Sequence, residues 1–151
     1  MITNLGAIRR AHAQLIRDTK AATLKASIGA ANHGIRWSRS YAGYSHRTGT
    51  LKRATRKRIV RLKSGARVIL QNTAKHAHFI EHGTRPHWIY PRRPGGRLVF
   101  WWDKTGRVMH LRRVWHPGTR PYRFLHNATH QASLRFGTLI APELAKAAAR
   151  F

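Results

Sequence analysis

The chain contains Gly-Thr-Arg-Pro twice, in Ala77-His78-Phe79-Ile80-Glu81-His82-Gly83-Thr84-Arg85-Pro86-His87 and in Val114-Trp115-His116-Pro117-Gly118-Thr119-Arg120-Pro121. Glycine adopts positive φ readily and can end a helix. Proline holds the residue before it in an extended conformation. Each copy therefore predicts a sharp change of chain direction. We expect the first copy to turn out of a short helix, and the second to turn into a helix with Pro121 at its first position.

The residues between and before these copies predict strands. Residues 97–102 and 107–115 predict a hairpin across a four-residue turn, 103–106, of suitable composition. Val99 to Trp102 are all apolar, which predicts a strand that is buried or covered by a partner. Residues 58–62 and 66–72 are rich in β-branched and apolar residues and predict two further strands.

Apolar residues at helical spacing predict two longer helices. The first covers residues 4–31, with Asn4 or Thr3 as its cap and Gly29 or Gly34 as its end. The second covers residues 121–140, and Pro142 kinks or restarts it before an Ala-rich tail that can pack on another chain. A short helix or a turn is expected over residues 74–82, with its Phe79 and Ile80 facing the core.

These elements predict the α+β class, with a mainly antiparallel sheet packed against two helices. The length of 151 residues predicts one domain. It would comprise an N-terminal helix within residues 1–35, a basic loop over 36–57, a sheet with a short helix over 58–120, and a C-terminal helix and tail over 121–151.

Charge is the strongest global signal. The chain has 30 Lys and Arg residues against four Asp and Glu residues, for a formal net charge of +26. Self-repulsion at this level disfavours a compact state unless a polyanion or acidic neighbours compensate, which predicts DNA, RNA or an acidic protein as partner. Residues 36–63 carry ten of the cations and no acid, with Trp37, Tyr41 and Tyr44 interleaved. The residues expected to face DNA or an acidic partner are Arg47, Lys52, Arg53, Arg56, Lys57, Arg58, Arg61 and Lys63.

Several classes of protein are disfavoured by composition. There is no cysteine, which excludes a disulfide framework and a thiolate zinc site. The N-terminus does not resemble a secretion signal, and no apolar stretch is long enough to span a bilayer, so we expect no membrane association and a cytoplasmic site of synthesis and assembly.

Chemistry at the histidines is only weakly indicated. His76, His78, Glu81 and His82 could supply metal ligands, but the His-Glu-x-x-His pattern is absent. We expect His82, His87 and His116 to be hydrogen-bonding turn residues instead. No nucleophile, base and orienting residue form a legible set, so we expect no catalytic residue, metal or cofactor. Glu81 is expected to form a structural ion pair with Arg85, Arg120 or an arginine of a neighbouring subunit.

The order of these features resembles one phage family. It runs from a short helix through Glu81-His82-Gly83-Thr84-Arg85-Pro86-His87, a Pro/Arg loop and an apolar hairpin to His116-Pro117-Gly118-Thr119-Arg120-Pro121 and an Ala-rich helix. Upstream, Arg47-Thr48-Gly49-Thr50-Leu51-Lys52 is similar to the family's Thr-Gly-x-Leu segment. Over roughly residues 45–130, the chain resembles the small tail-component proteins of long-tailed bacteriophages, also described as neck or tail-completion proteins.

The resemblance implies a structural virion protein without catalytic activity. It implies a homo-oligomeric ring, with six copies as the expected number, that joins tail to head at the head–tail junction of the virion. It further implies contact with connector or stopper proteins, with tail-terminator or tail-tube proteins, and with phage DNA without sequence specificity. The turn and assembly motif would comprise Glu81, Gly83, Thr84, Arg85, Pro86, His116, Pro117, Gly118, Thr119, Arg120 and Pro121.

Two other functions fit the composition. A free basic protein that binds nucleic acid would associate with RNA or DNA as a monomer, with a steep dependence on salt. A ribonuclease toxin could work with histidine and arginine alone. We favour an assembled protein over both because of the long first helix and the apolar run from Val99 to Trp102.

Overall fold

The computed structural model describes residues 4–41, 43, 48–62 and 65–150, and it has the predicted α+β class. The chain divides into two compact units, residues 1–77 with 123–151, and residues 78–122. The first unit contains two long helices and one β-hairpin. The second contains two short antiparallel strand pairs.

Helix α1, Leu5–Ser40, is longer than the sequence predicts. It begins after Asn4, whose side chain makes no capping hydrogen bond, and it passes through Gly29 and Gly34. The predicted end at these glycines is therefore wrong. A Cβ atom at Gly34 would lie 2.6 Å from the carbonyl oxygen of Ala128, so this glycine permits the close approach of another helix.

The predicted basic loop over residues 36–57 is also wrong in part. Residues 36–40 belong to α1, residues 50–54 form helix α2 (Thr50–Ala54), and residue 55 begins strand β1 (Thr55–Leu62). Gly49 has φ of 67° immediately before α2, and Leu51 within it is buried. The segment is thus mostly regular structure because Leu51 and Ala54 have a core to enter.

Strands β1 and β2 (Gly65–Asn72) form an antiparallel pair from Thr55 opposite Asn72 to Leu62 opposite Gly65. Both strands were predicted, and both begin slightly earlier than expected. The side-chain amide of Asn72 donates hydrogen bonds of 2.8 Å to the carbonyl oxygen of Leu51 and to Oγ1 of Thr55. These bonds join the end of α2 to the open end of the hairpin.

Helix α4, Phe124–Ala148, packs along α1 and contacts β2. It begins three residues after Pro121, so the prediction that Pro121 occupies its first position is wrong. The residue before the helix, Arg123, has φ of 49°. The helix continues through Pro142 without restarting, and the tail that was expected to meet another chain packs here through the buried Ala147.

Small side chains make up most of the core between the two long helices. Among the described residues, Phe124 is the largest fully buried side chain, at 1% exposure. Alanine side chains let the axes of α1 and α4 approach closely. Gly29 and Gly34 of α1 contact α4 at this short separation. The buried alanines of this seam are Ala22, Ala26, Ala30 and Ala31 of α1, and Ala128, Ala132 and Ala147 of α4.

Helix α3 (Ala77–His82) begins one residue before the second unit, which then contains β3 (His87–Ile89), β4 (Leu98–Trp102), β5 (Arg107–Leu111) and β6 (Val114–His116). Strand β4 pairs with β5, and β3 pairs with β6, both antiparallel. In the described residues the expected single sheet is therefore three two-stranded ladders, and the expected strand over 107–115 is two strands in different ladders.

None of residues 78–122 is buried. Phe79 is 54% exposed, which contradicts its predicted place in the core, and Ile80 is half-buried. Val99 and Trp101 are each 60% exposed, so the prediction of a buried strand is wrong within this chain. Cover by a partner, the other alternative for the apolar run, stays a prediction.

Candidate functional site

The two Gly-Thr-Arg-Pro copies pair with each other. The main-chain N–H of Thr84 donates to the carbonyl oxygen of Thr119 at 3.0 Å, and the N–H of Thr119 donates back to the carbonyl oxygen of Thr84 at 3.1 Å. The two threonine hydroxyl oxygens lie 3.1 Å apart, and Oγ1 of Thr84 also accepts from the N–H of Thr119. The repeated motif thus forms one structure, here called the Gly-Thr crossing, made of residues 83–84 and 118–119.

Glycine is required on both sides of this crossing. Gly83 has φ of 73° and ends α3, as predicted, and Gly118 has φ of 85°. A Cβ atom at Gly83 would lie 2.4 Å from the carbonyl oxygen of Thr119, and one at Gly118 would lie 2.3 Å from that of Thr84. Both distances are far below van der Waals contact, so each glycine makes room for the other strand.

The crossing continues into the β3–β6 ladder without a change of register. His87 lies opposite His116, Trp88 opposite Trp115, and Ile89 opposite Val114. The ring centroids are 5.1 Å apart in the histidine pair and 5.2 Å apart in the tryptophan pair. Cross-strand pairs of this kind stabilise two-stranded ladders.

A signal for this pairing was present in the sequence. Read forwards from Thr84, the chain gives Thr-Arg-Pro-His-Trp, and read backwards from Thr119 it gives Thr-Gly-Pro-His-Trp. Two segments that match in opposite directions place identical residues opposite each other when they pair antiparallel. The direct repeat of Gly-Thr-Arg-Pro is the more obvious pattern, but the pairing follows the reversed match.

Two histidines hydrogen-bond the main chain within or next to the crossing, as predicted. Nδ1 of His87 donates to the carbonyl oxygen of Arg85 at 2.8 Å, and Nδ1 of His116 accepts from the N–H of Gly118 at 3.1 Å. Nδ1 therefore carries a proton in His87 and a lone pair in His116. His82, on α3, lies with its ring centroid 4.6 Å from that of His78.

The remaining residues of the turn motif lie at the surface. Arg120 places its guanidinium 5.4 Å from the ring centroid of Tyr122. Glu81 is half-buried on α3, and its pairing with an arginine stays a prediction. The exposed members of the motif are Arg85, Pro86, Pro117, Thr119, Arg120 and Pro121.

Two ion pairs join α1 to α4. Nζ of Lys25 lies 3.0 Å from a carboxylate oxygen of Glu143, and Arg150 lies 3.7 Å from Asp18. The hydrogen bond from Lys25 lowers the pKa of Glu143 below its ordinary value of 4.5. Two of the four acids are therefore engaged within the first unit, which leaves few carboxylates to offset the cations elsewhere.

The predicted basic residues divide between the two faces of the β1–β2 hairpin. Arg56 and Arg58 are exposed on the face that also carries Arg67 of β2, since successive side chains alternate and paired residues share a face. The Nζ of Lys57, on the opposite face, donates to Oδ1 of Asn32 in α1. The outer face of the hairpin thus carries three arginines, Arg56, Arg58 and Arg67, which we call the arginine face.

Other members of the basic set serve local structure or lie elsewhere. The guanidinium of Arg53 donates to the carbonyl oxygen of Thr48, and the carbonyl oxygen of Lys52 accepts from Arg39. Arg39 also donates to the carbonyl oxygen of Thr55, so it binds the C-terminal end of α2, a role that the sequence did not suggest. The predicted residues Arg47 and Lys63, with Tyr44, lie outside the described residues.

Arg61 lines a groove of about 660 Å³ between α1 and the β1–β2 hairpin, together with Lys20. The hydroxyls of Thr19, Thr23 and Ser27 also line it, but each donates to a carbonyl oxygen of its own helix. They cannot donate to a bound anion at the same time. Of these side chains, only those of Lys20 and Arg61 are therefore free to donate to an anion in the groove.

Within residues 4–41, 43, 48–62 and 65–150, no three histidine or acidic side chains lie close enough together to hold a metal ion. No helix in the same described ranges has the length and apolar character needed to cross a membrane.

Comparisons of the chain with protein-family models, with curated proteins and with solved structures find no match.

Proposed function

We propose that this protein is a structural component of a tailed-phage virion that forms a ring around the DNA path at the head–tail junction. The ring, with six copies as the expected number, would join tail to head without catalysis. Its neighbours would be a connector or stopper protein on one side and a tail-terminator or tail-tube protein on the other. The proposal rests on the resemblance of residues 45–130 to phage tail-component proteins and on the surfaces described above.

The observation that supports assembly most directly is the exposure of residues 78–122. This unit has no buried residue, and its large apolar side chains lie at the surface. Those that are at least 44% exposed include Trp88, Tyr90, Val99, Trp101 and Trp115. Small units of two-stranded ladders are marginally stable in water unless further structure covers them. A protein that works within a larger assembly obtains this cover from its neighbours.

The first unit also presents apolar surface for assembly. Leu5, Ile8 and Ile16 of α1 are 50%, 62% and 41% exposed, whereas the buried positions of the helix begin at Ala22. The N-terminal half of α1 is therefore available to pack on a neighbouring copy. A contact between two different surfaces of identical chains generates a closed ring when its rotation closes.

The arginine face supports contact with DNA. Arg56, Arg58 and Arg67 lie on one face of a hairpin that has no acidic residue on either strand. Arginines that neutralise phosphates without reading bases give binding that is independent of sequence and falls steeply with salt. A duct must accept any genome sequence that passes through it, and binding of this kind meets that requirement.

Electron microscopy of the purified protein tests the ring. We expect closed rings with a central channel wide enough for a DNA duplex. A field of single particles the size of one chain, unchanged over a wide range of protein concentration, would refute the proposal.

A charge reversal tests the DNA contact separately. Arg56→Glu with Arg58→Glu should weaken duplex binding and reduce the slope of log affinity against log salt by about 2. The control is Arg92→Glu with Arg93→Glu, which changes the net charge equally at exposed positions of the 91–96 loop. Equal losses in the two variants would show that net charge, and not the arginine face, binds DNA.

The arginine face also suits a free nucleic-acid-binding protein, which is the second candidate. Such a protein would be a monomer in the absence of nucleic acid, and its complexes would dissociate as salt rises. The same electron micrographs distinguish the two candidates, because only the virion component forms rings without DNA.

A further inference from the structure

One face of the β4–β5 hairpin is apolar and exposed. In this ladder Val99 lies opposite His110, and Trp101 lies opposite Val108, so these four side chains share a face. Val99, Trp101 and Val108 are 60%, 60% and 50% exposed. The other face, with Leu98, Phe100, Met109 and Leu111, is half-buried. We call the exposed side, made of Val99, Trp101, Val108 and His110, the hairpin face.

Cations lie at both ends of the hairpin face. Arg97 and Arg112 occupy the next positions of the same alternation beyond one end of the ladder, where they would lie opposite each other. Lys104 lies in the turn at the other end, beside Asp103. Arg97, Lys104 and Arg112 are all exposed. The residues that cover this face would therefore be apolar in the centre and acidic at the ends.

A second copy of this chain does not have that chemistry. It has four acids, and two of them, Asp18 and Glu143, are engaged in ion pairs between α1 and α4. At this face a copy would therefore bring mostly cations against Arg97, Lys104 and Arg112. Like charges placed together across an interface oppose association.

A membrane and a single-stranded nucleic acid also fit poorly. Strands β4 and β5 each have only one neighbouring strand among the described residues, so both outer edges carry main-chain groups that hydrocarbon cannot hydrogen-bond. Stacked bases require aromatic platforms, but Trp101 is the only tryptophan, tyrosine or phenylalanine on the hairpin face. A protein surface can pack against valine and satisfy a strand edge with polar groups.

We propose that the hairpin face binds an amphipathic helix of an acidic partner protein. A two-stranded hairpin gains independent stability when a helix packs on it. Val99 and Trp101 are about 6.6 Å apart along their strand, within about 1.2 Å of the roughly 5.4 Å pitch of an α-helix, so successive turns of one apolar stripe can reach both. Carboxylates along the flanks of the helix meet Arg97 and Arg112 at one end and Lys104 at the other. The interaction goes beyond the ring proposal and does not depend on it, because one chain binds one helix.

Calorimetry with a synthetic probe tests this inference. The probe is an amphipathic helical peptide with leucine along one side and glutamate on the others. A first comparison peptide has alanine for leucine, and a second has lysine for glutamate. We expect the leucine–glutamate peptide to bind at least about tenfold more tightly than either, since both the apolar stripe and the carboxylates contribute.

Matched variants locate the binding. Trp101→Ser, and separately Val108→Ser, should weaken the leucine–glutamate peptide at least about fivefold. Leu134→Ser removes an equally exposed apolar side chain from α4, at 60% exposure, and should leave affinity unchanged. Arg97→Glu with Arg112→Glu should weaken binding more than Arg92→Glu with Arg93→Glu, which alters the exposed 91–96 loop by the same charge. Circular dichroism confirms that each variant folds.

Three results would overturn the inference. Equal affinity for the leucine–glutamate and alanine–glutamate peptides would mean that charge alone binds the probe. A self-association that Trp101→Ser abolishes would identify a second copy as the occupant. Insertion of Trp101 into phosphatidylglycerol vesicles, seen as a blue shift of fluorescence that Trp101→Ser loses, without binding of the peptide, would identify a lipid surface.

Discussion

Alanine at either glycine of the Gly-Thr crossing should unfold the second unit selectively. In Gly83→Ala the new Cβ atom would lie 2.4 Å from the carbonyl oxygen of Thr119, whereas ordinary contacts begin at 3.4 Å. The two segments must therefore separate by about 1 Å. Gly118→Ala meets the carbonyl oxygen of Thr84 at 2.3 Å and should behave in the same way.

The cost has two parts that a control can separate. An alanine at φ near +73° costs about 1–2 kcal/mol from backbone strain alone. Separation of the segments adds about 1–3 kcal/mol, since it weakens two reciprocal main-chain hydrogen bonds worth about 1 kcal/mol each. We therefore expect a loss of about 2–5 kcal/mol in the free energy of unfolding for Gly83→Ala. Gly95→Ala has φ of 75° but no atom within 4 Å of its new Cβ, so it should lose only the strain.

Tryptophan fluorescence during urea unfolding follows the second unit well. Four of the five tryptophans, Trp88, Trp101, Trp102 and Trp115, belong to it. Hydrogen exchange at the amides of Thr84 and Thr119 would localise the effect. In the double variant, Gly83→Ala with Gly118→Ala, the cost should be less than the sum, because the first alanine has already separated the segments. Equal losses for Gly83→Ala and Gly95→Ala would refute the crossing.

The remaining predictions concern the first unit. Gly34→Ala should destabilise it by about 2–4 kcal/mol, because its Cβ would lie 2.6 Å from the carbonyl oxygen of Ala128, whereas Gly137→Ala, in open space on α4, should stabilise it by about 0.5–1 kcal/mol. Thermal unfolding by far-ultraviolet circular dichroism measures both, and shifts of the same sign would contradict the close helix contact. Arg39→Met should lower stability by about 1 kcal/mol through loss of its two carbonyl contacts with α2 and β1, and Arg36→Met, at an exposed position of the same helix, should not. Because the folded-state pKa of Glu143 lies below 4.5, its ion pair stabilises the fold above that pH, and this contribution is lost as pH falls through the folded value. Urea midpoints measured down the acid limb should therefore fall less steeply in Glu143→Gln than in the natural protein, and identical slopes would contradict the pair.

Local sequence signals predicted most elements of the fold. The β-branched and apolar residues of 58–62 and 66–72 located β1 and β2, and the turn at 103–106 located the β4–β5 hairpin. These features depend on residues near one another in the chain. The predicted end of α1 was wrong because Gly34 does not end the helix but allows Ala128 to approach it closely. Local helix signals do not distinguish a glycine that ends a helix from one that makes a tertiary contact.

The candidate site shows the same limit. Each Gly-Thr-Arg-Pro copy could be recognised as a turn by itself, but the pairing of Thr84 with Thr119 joins residues far apart in sequence. Helix α4 begins at Phe124 because that side chain has a buried position to fill, and Pro121 remains in the turn. In the basic set, residue type alone did not distinguish the exposed Arg56 from Lys57, whose side chain bonds to Asn32.

The most direct test of the ring proposal is the native mass of the protein by light scattering, at low and high salt, with and without duplex DNA. We predict a ring-sized species that persists at high salt, since apolar contacts between copies do not weaken as ionic strength rises. A monomer that associates only with DNA and is released as salt increases would contradict the ring and leave a free nucleic-acid-binding protein as the function.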